Sequence, residues 1–222
     1  MKKYLIRIIT LLSGLALFAV GVVTAIKAHV GYAPWEVFHV GLSISTGLSV
    51  GAAVIIVGIV IVAIVTISGE KIGIGTVACV VVTGFFIDVI LILDIIPQAP
   101  NMVVGIIMLL VGIYIISLGT YFYIKSAFGT GPRDSLMVVI KRKTKLPIGV
   151  CRSLLELTVT VAGWLLGGMI GVGTIISVFA LGLFFQITFR MFKFNVAEVQ
   201  HEMITETFGA LKAKLKNPKN QS

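Results

Sequence analysis

Nine side chains in this sequence have the chemistry to bind or relay a charged species inside an otherwise apolar chain: Trp35, Glu36, His39, Asp88, Arg133, Asp134, Arg152, Glu156 and Gln186. Asp88 sits in "VTGFFIDVILILD", deep in an apolar run where an unpaired carboxylate costs several kcal/mol, so it reads as a functional group. A carboxyl there suits proton carriage if desolvation raises its pKa. Arg152 and Glu156 are four apart on one helix face, at ion-pair spacing. They serve either as a structural pin or, with Asp88, as the lining of a shared polar cavity. Glu36 and Asp134 follow Pro34 and Pro132 by two residues, which is also an ordinary helix start with an acid complementing the dipole. His39 can titrate near neutral pH or simply hydrogen-bond. Trp35 fits an interfacial aromatic belt. Asp94 is expected at an outer boundary, solvated.

The elements that must position these groups are membrane helices. Of 222 residues, 58% are hydrophobic and 12% charged, and the mean hydropathy is +1.10, against roughly a quarter charged in soluble domains. Six stretches are long and apolar enough to span, at about 5–28, 50–68, 74–96, 102–125, 148–168 and 173–191. The first resembles a signal peptide, but its apolar run from Leu5 to Val23 is too long for one, and it is expected to be retained. With both termini cytoplasmic, every Lys and Arg of the 18 except Lys27 falls on the inner side. The net charge of +9 is therefore a topology signal and does not imply a nucleic-acid partner. Cys79 and Cys151 lack any metal or redox spacing and read as packing residues.

The two polar interruptions are related. Shifting the sequence by 98 residues places Gly21, Lys27, Gly31, Pro34, Thr46, Gly51, Gly73, Gly75, Thr76 and Gly84 on Gly119, Lys125, Gly129, Pro132, Thr144, Gly149, Gly171, Gly173, Thr174 and Gly182. Glu36 falls on Asp134 and Asp88 on Gln186. Each unit holds three spans, so the second copy enters from the opposite face. The expected fold is all-α and polytopic, with six transmembrane helices as two inverted three-helix repeats, about 5–96 and 102–191. Inverted repeats recur in secondary transporters, with sites at broken helices near the pseudo-two-fold axis. Segments 31–47 and 129–145 are then either re-entrant or interfacial. Gly163, Gly167, Gly168, Gly171 and Gly173 suit close helix packing. Residues 1–194 form the membrane domain. Residues 195–222 form a tail whose amphipathic stripe and lysines fit a cytoplasmic helix on anionic lipid or a partner.

"GYAPWEVFHVGLS", "GTGPRDSLM", "RSLLE" and "GGMIGVGT" resemble the YczE/YyaS/YitT family of small bacterial integral membrane proteins, over about residues 14 to 190. The resemblance implies a bacterial plasma-membrane location and no substrate. By carry-over, Pro34, Trp35, Glu36, His39, Arg133, Asp134, Arg152 and Glu156 occupy the family's polar motif positions, with Glu36 where aspartate is expected. A weaker fold-level likeness is to the six-span substrate-binding subunits of vitamin transporters.

No HExxH, GxSxG, Walker loop or metal cluster is present, so no enzyme, cofactor or metal is expected. The leading expectation is a small-molecule or ion transporter or permease. The alternatives are a substrate-capture subunit with a separate energising partner, and a non-transporting scaffold or regulator, alone or as a homo-oligomer.

Overall fold

The computed structural model describes residues 2–70, 72–129, 131–194 and 199. All regular structure among them is helical, in eight elements: α1 (Lys2–Lys27), α2 (Pro34–Thr46), α3 (Val50–Ile67), α4 (Ile74–Leu93), α5 (Met102–Lys125), α6 (Pro132–Thr144), α7 (Ile148–Leu165) and α8 (Val172–Met191). Six of these, all but α2 and α6, are long and apolar enough to cross a membrane. They coincide with the spans expected from composition to within about three residues, since length and hydropathy alone set them. Apart from residue 199, the tail lies outside the described residues.

The helix ends follow local chemistry. Pro34 and Pro132 occupy the first turns of α2 and α6, where a missing N–H costs nothing. Both helices end on a left-handed residue, Gly47 and Lys145 respectively. The Ser49 hydroxyl accepts from Ala52 N–H to cap α3, and Asn101 accepts from Val104 N–H to cap α5.

At the centre, α1 lies along α5, with Leu15, Ala19 and Val23 fully enclosed. Close approach depends on glycines facing backbone. Gly14 packs on Gly119, and Gly21 packs on Gly112. The other helices pack as α2 on α7, α6 on α3, α4 on α1 and α8 on α5. Gly41 and Gly163 let α2 press onto α7 backbone to backbone, the close packing expected of that glycine-rich stretch.

Chain return segments follow α1 and α5. Residues 28–33 pass the N-terminus of α8, where Gly173 N–H donates to Val30 O at 2.7 Å. Residues 126–129 pass the N-terminus of α4, where Gly75 N–H donates to Phe128 O at 2.8 Å. Gly31 (φ 107°) and Gly129 (φ 144°) make these turns in backbone conformations closed to other residues. Two residues depart from expectation. Asp94 is not merely solvated, because it pairs with Lys27 at 2.5 Å. Trp35 is not in an outer belt. It is buried among Ile61, Val65, Val139 and Val159, because the return segment carries the start of α2 inward.

Candidate functional site

The first turns of α2 and α6 meet inside the bundle and border a cavity of about 180 Å³. Of segments 31–47 and 129–145, the described residues are thus inserted among the spans at the N-terminal ends of α2 and α6, not laid wholly along a surface. Non-helical backbone at such a place is tolerated where protein or a watery cavity covers it. Glu36 and Asp134, each in the first turn of its helix, complement the partial positive charge there.

Seven of the nine candidate residues line this cavity: Trp35, Glu36, His39, Arg133, Asp134, Arg152 and Glu156. The Arg133 guanidinium stacks over the Trp35 ring, 4.6 Å from its centre, and lies 3.8 Å from Glu36 Oε1. Trp35 and Arg133 are themselves 98 residues apart, so these equivalent positions touch each other. The Arg152 Nε donates to Glu156 Oε1 at 2.9 Å.

Burial raises the Glu36 carboxyl above its ordinary range, opposed by Arg133. It does the same to Asp134, opposed by Arg152, Arg133 and a hydrogen bond from the Tyr123 hydroxyl. Burial holds His39 well below the usual imidazole range, and Arg133 adds to that. His39 therefore stays neutral at physiological pH and is not the titrating group of the site.

Asp88 and Gln186 are not among the cavity-lining residues. The expected cavity shared by Asp88, Arg152 and Glu156 therefore does not form, for a geometric reason. The cavity face of α4 carries Cys79, Val80 and Thr83, and five residues beyond Thr83 is about 140° further round a helix. Asp88 instead holds the start of α3, accepting from Ser49 Oγ at 2.5 Å and from Gly51 N–H at 2.7 Å. It has local partners, which its own helix could not reveal. Asp88→Asn is expected to lower stability by about 1 kcal/mol, a typical cap value, because a neutral amide accepts more weakly than a carboxylate. The check is a thermal melt in detergent. An unchanged melting temperature would contradict this role.

Among the lining residues that sequence reasoning missed are Tyr123, Cys79 and Thr83. Tyr123 donates to Asp134. Cys79, read as inert packing, lines the cavity beside Thr83. The buried Thr83 hydroxyl has no hydrogen-bond partner among the described residues, its polar neighbour being that weakly interacting thiol. A Cys and a Thr four apart on a span were the available signal, though they also suit plain packing. Among the described residues no cluster of His, Cys, Asp and Glu suits a metal ion.

The model of the family of unknown function DUF6198 matches residues 5–190. The chain belongs to that family. The chain is 37% identical to the uncharacterized membrane protein YczE of Bacillus subtilis over 175 residues, covering 77% of this chain and 80% of that one. It is 30% identical to an uncharacterized protein of Haemophilus influenzae over 172 residues, 78% of each. It is 26% identical to the uncharacterized protein YyaS of B. subtilis over 168 residues, 74% and 83%. No solved structure matches the chain. This DUF6198 chain is therefore a multi-pass membrane protein whose polar motifs converge on one cavity.

Proposed function

We propose that this protein is a secondary transporter or permease for a small molecule or ion, with the cavity between α2 and α6 as its substrate site. The observation that carries the reading is the meeting of two broken-helix N-termini, bearing Glu36, Arg133 and Asp134, inside a bundle of spans. Charged groups inside a membrane protein mark substrate or ion pathways, and paired half-helices at a repeat interface are a transporter arrangement.

The two halves supply the inverted relation on this reading. Many lining residues are 98 apart, such as Phe18 with Ile116, Pro34 with Pro132, His39 with Met137 and Val57 with Leu155. The hydrogen bonds from Gly75 to Phe128 and from Gly173 to Val30 join equivalent residues. The side chains are unequal, because Arg152 and Glu156 stand where the first half has Val54 and Gly58. The ligand would therefore sit in an asymmetric charge pattern on a nearly symmetric frame. We place both termini in the cytoplasm of a bacterium, from the distribution of Lys and Arg, and regard the chain as a carrier without catalytic chemistry.

The test begins with a thermal-shift screen of the purified protein against small metabolites. The stabilising compound, radiolabelled, should then enter proteoliposomes containing this protein alone. Tight binding without uptake would replace the transporter reading with that of a capture subunit.

A further inference from the structure

The packing of α3 on α4 has no comparable partner between α7 and α8, the equivalent helices. In the first half Gly51 and Gly84 face each other so closely that neither has room for a methyl group. Their equivalents Gly149 and Gly182 have no atom within 4 Å of such a methyl. The same inequality appears around them. Asp88 accepts from Gly51 N–H, whereas its equivalent Gln186 lies exposed on a spanning helix, with no hydrogen-bond partner among the described residues although a polar group there calls for one. Helix α3 encloses Gly51, Ala53, Gly58, Ile61 and Val65, while α7 encloses only Cys151, Val159 and Gly163. Thus the ends of α7 and α3 that hold Gly149 and Gly51 differ, although the deeper contacts correspond.

We propose that the protein has a second conformation in which Gly149 of α7 closes on Gly182 of α8 while Gly51 of α3 parts from Gly84 of α4. In it the Gln186 side chain accepts from Gly149 N–H, as Asp88 does from Gly51 N–H here. The cavity would then be entered from opposite ends in turn, one open end for each closed glycine pair. Two features support the closure. Gly149 and Gly182 keep the small size that a backbone-to-backbone contact needs but currently make none. Gln186 keeps the hydrogen-bonding capacity of Asp88 without its charge. Pro147 stands where Ser49 helps to hold Asp88, so the α7 closure has one fewer hydrogen bond and opens more readily. A closed pair held this way would be selected by whatever binds it better.

This inference extends the transport reading, but its test reads helix position and not uptake, so the two fail separately. The experiment uses the full chain with Cys79→Ala and Cys151→Ser, carrying Gly149→Cys and Gly182→Cys, in lipid vesicles under mild oxidant. Both new side chains enter open space, so folding is undisturbed. A disulfide needs Cβ atoms about 3.5–4.5 Å apart, which α7 and α8 provide only when closed. The expected result is a disulfide-linked 149–182 peptide pair within monomers, absent from either single-cysteine variant. Adding Gly84→Leu, which cannot pack on Gly51, should raise its yield several-fold. Two cysteines that both react with maleimide yet never link would overturn the proposal. So would a yield indifferent to Gly84→Leu in folded protein, because α7 would then move without α3.

Discussion

Arg133→Met is expected to cost on the order of 2 kcal/mol of stability, most of which Glu36→Gln added to it should restore, and on the transport reading proposed above it would also abolish uptake. The guanidinium is the cation nearest Glu36, whose side chain is 8% exposed, and its planar face covers Trp35. Methionine keeps much of the apolar contact and removes the charge. Breaking a buried pair from one side typically costs about 3–5 kcal/mol. The loss here is smaller because the stranded carboxyl can take up a proton, at about 1.4 kcal/mol for each tenfold change in its acid dissociation constant. The pH dependence gives the sign of this effect. A carboxyl raised in the folded state stabilises fully below its ordinary pKa, and that contribution fades as pH rises through the folded value. Glu36 and Asp134 are both raised by burial, and Arg133 opposes the rise in both. Without it they rise further, so Arg133→Met should lose stability over a range extending to higher pH than the parent. Glu156, which also raises Glu36, remains in place. Melting temperatures from pH 5 to 8 in detergent check this. A single variant that melts like the double variant at every pH would show that Glu36 and Arg133 are not coupled.

Much of this arrangement is legible in the sequence, for reasons that differ by element. The six spans follow from length and hydropathy, which need no tertiary information. The short helices α2 and α6 announce themselves through Gly and Pro, because those residues fix backbone angles locally. Their burial does not follow locally. It depends on residues 28–33 turning back past Gly171 through Gly31, and Trp35 in a window of sequence looks the same at an interface as in a core. Glu36, Arg133, Asp134, Arg152 and Glu156 stand out because a charge in an apolar chain is conspicuous wherever it lies. Asp88 is equally conspicuous and misleads, since charge alone does not say which neighbour a helix face meets. Its partners, Ser49 and Gly51, are on another helix. Thr83 and Tyr123 escape notice for the converse reason. Single polar groups of ordinary type gain meaning only from the cavity they border.

Gly21→Val is expected to be among the most destabilising single changes in the chain, costing several kcal/mol. A methyl at Gly21 would lie 2.7 Å from both Gly112 O and Ile116 N, backbone atoms of a neighbouring helix. Flexible side chains can yield a few tenths of an ångström, but the backbone of α5 moves only as a whole. Overpacking ordinarily costs about 1–3 kcal/mol. Here it must also separate the most closely packed helices of the bundle, where small residues provide the attraction that water supplies elsewhere. Gly14 faces the same constraint, with its methyl 2.6 Å from Tyr123 N, so Gly14→Val should behave alike. The damage would reach the site, because Phe18 on α1 and Ile116, Thr120 and Tyr123 on α5 form part of the cavity wall. Parting α1 from α5 would loosen Tyr123 from Asp134 and enlarge the cavity as the fold weakens. Gly182→Val is the matched control, since its side chain enters open space and should change stability by no more than about 0.5 kcal/mol. Thermal melts and the monodisperse fraction on size exclusion compare the three variants. If Gly21→Val melted with Gly182→Val, the close crossing of α1 and α5 would be wrong, and with it the placement of the cavity wall they share.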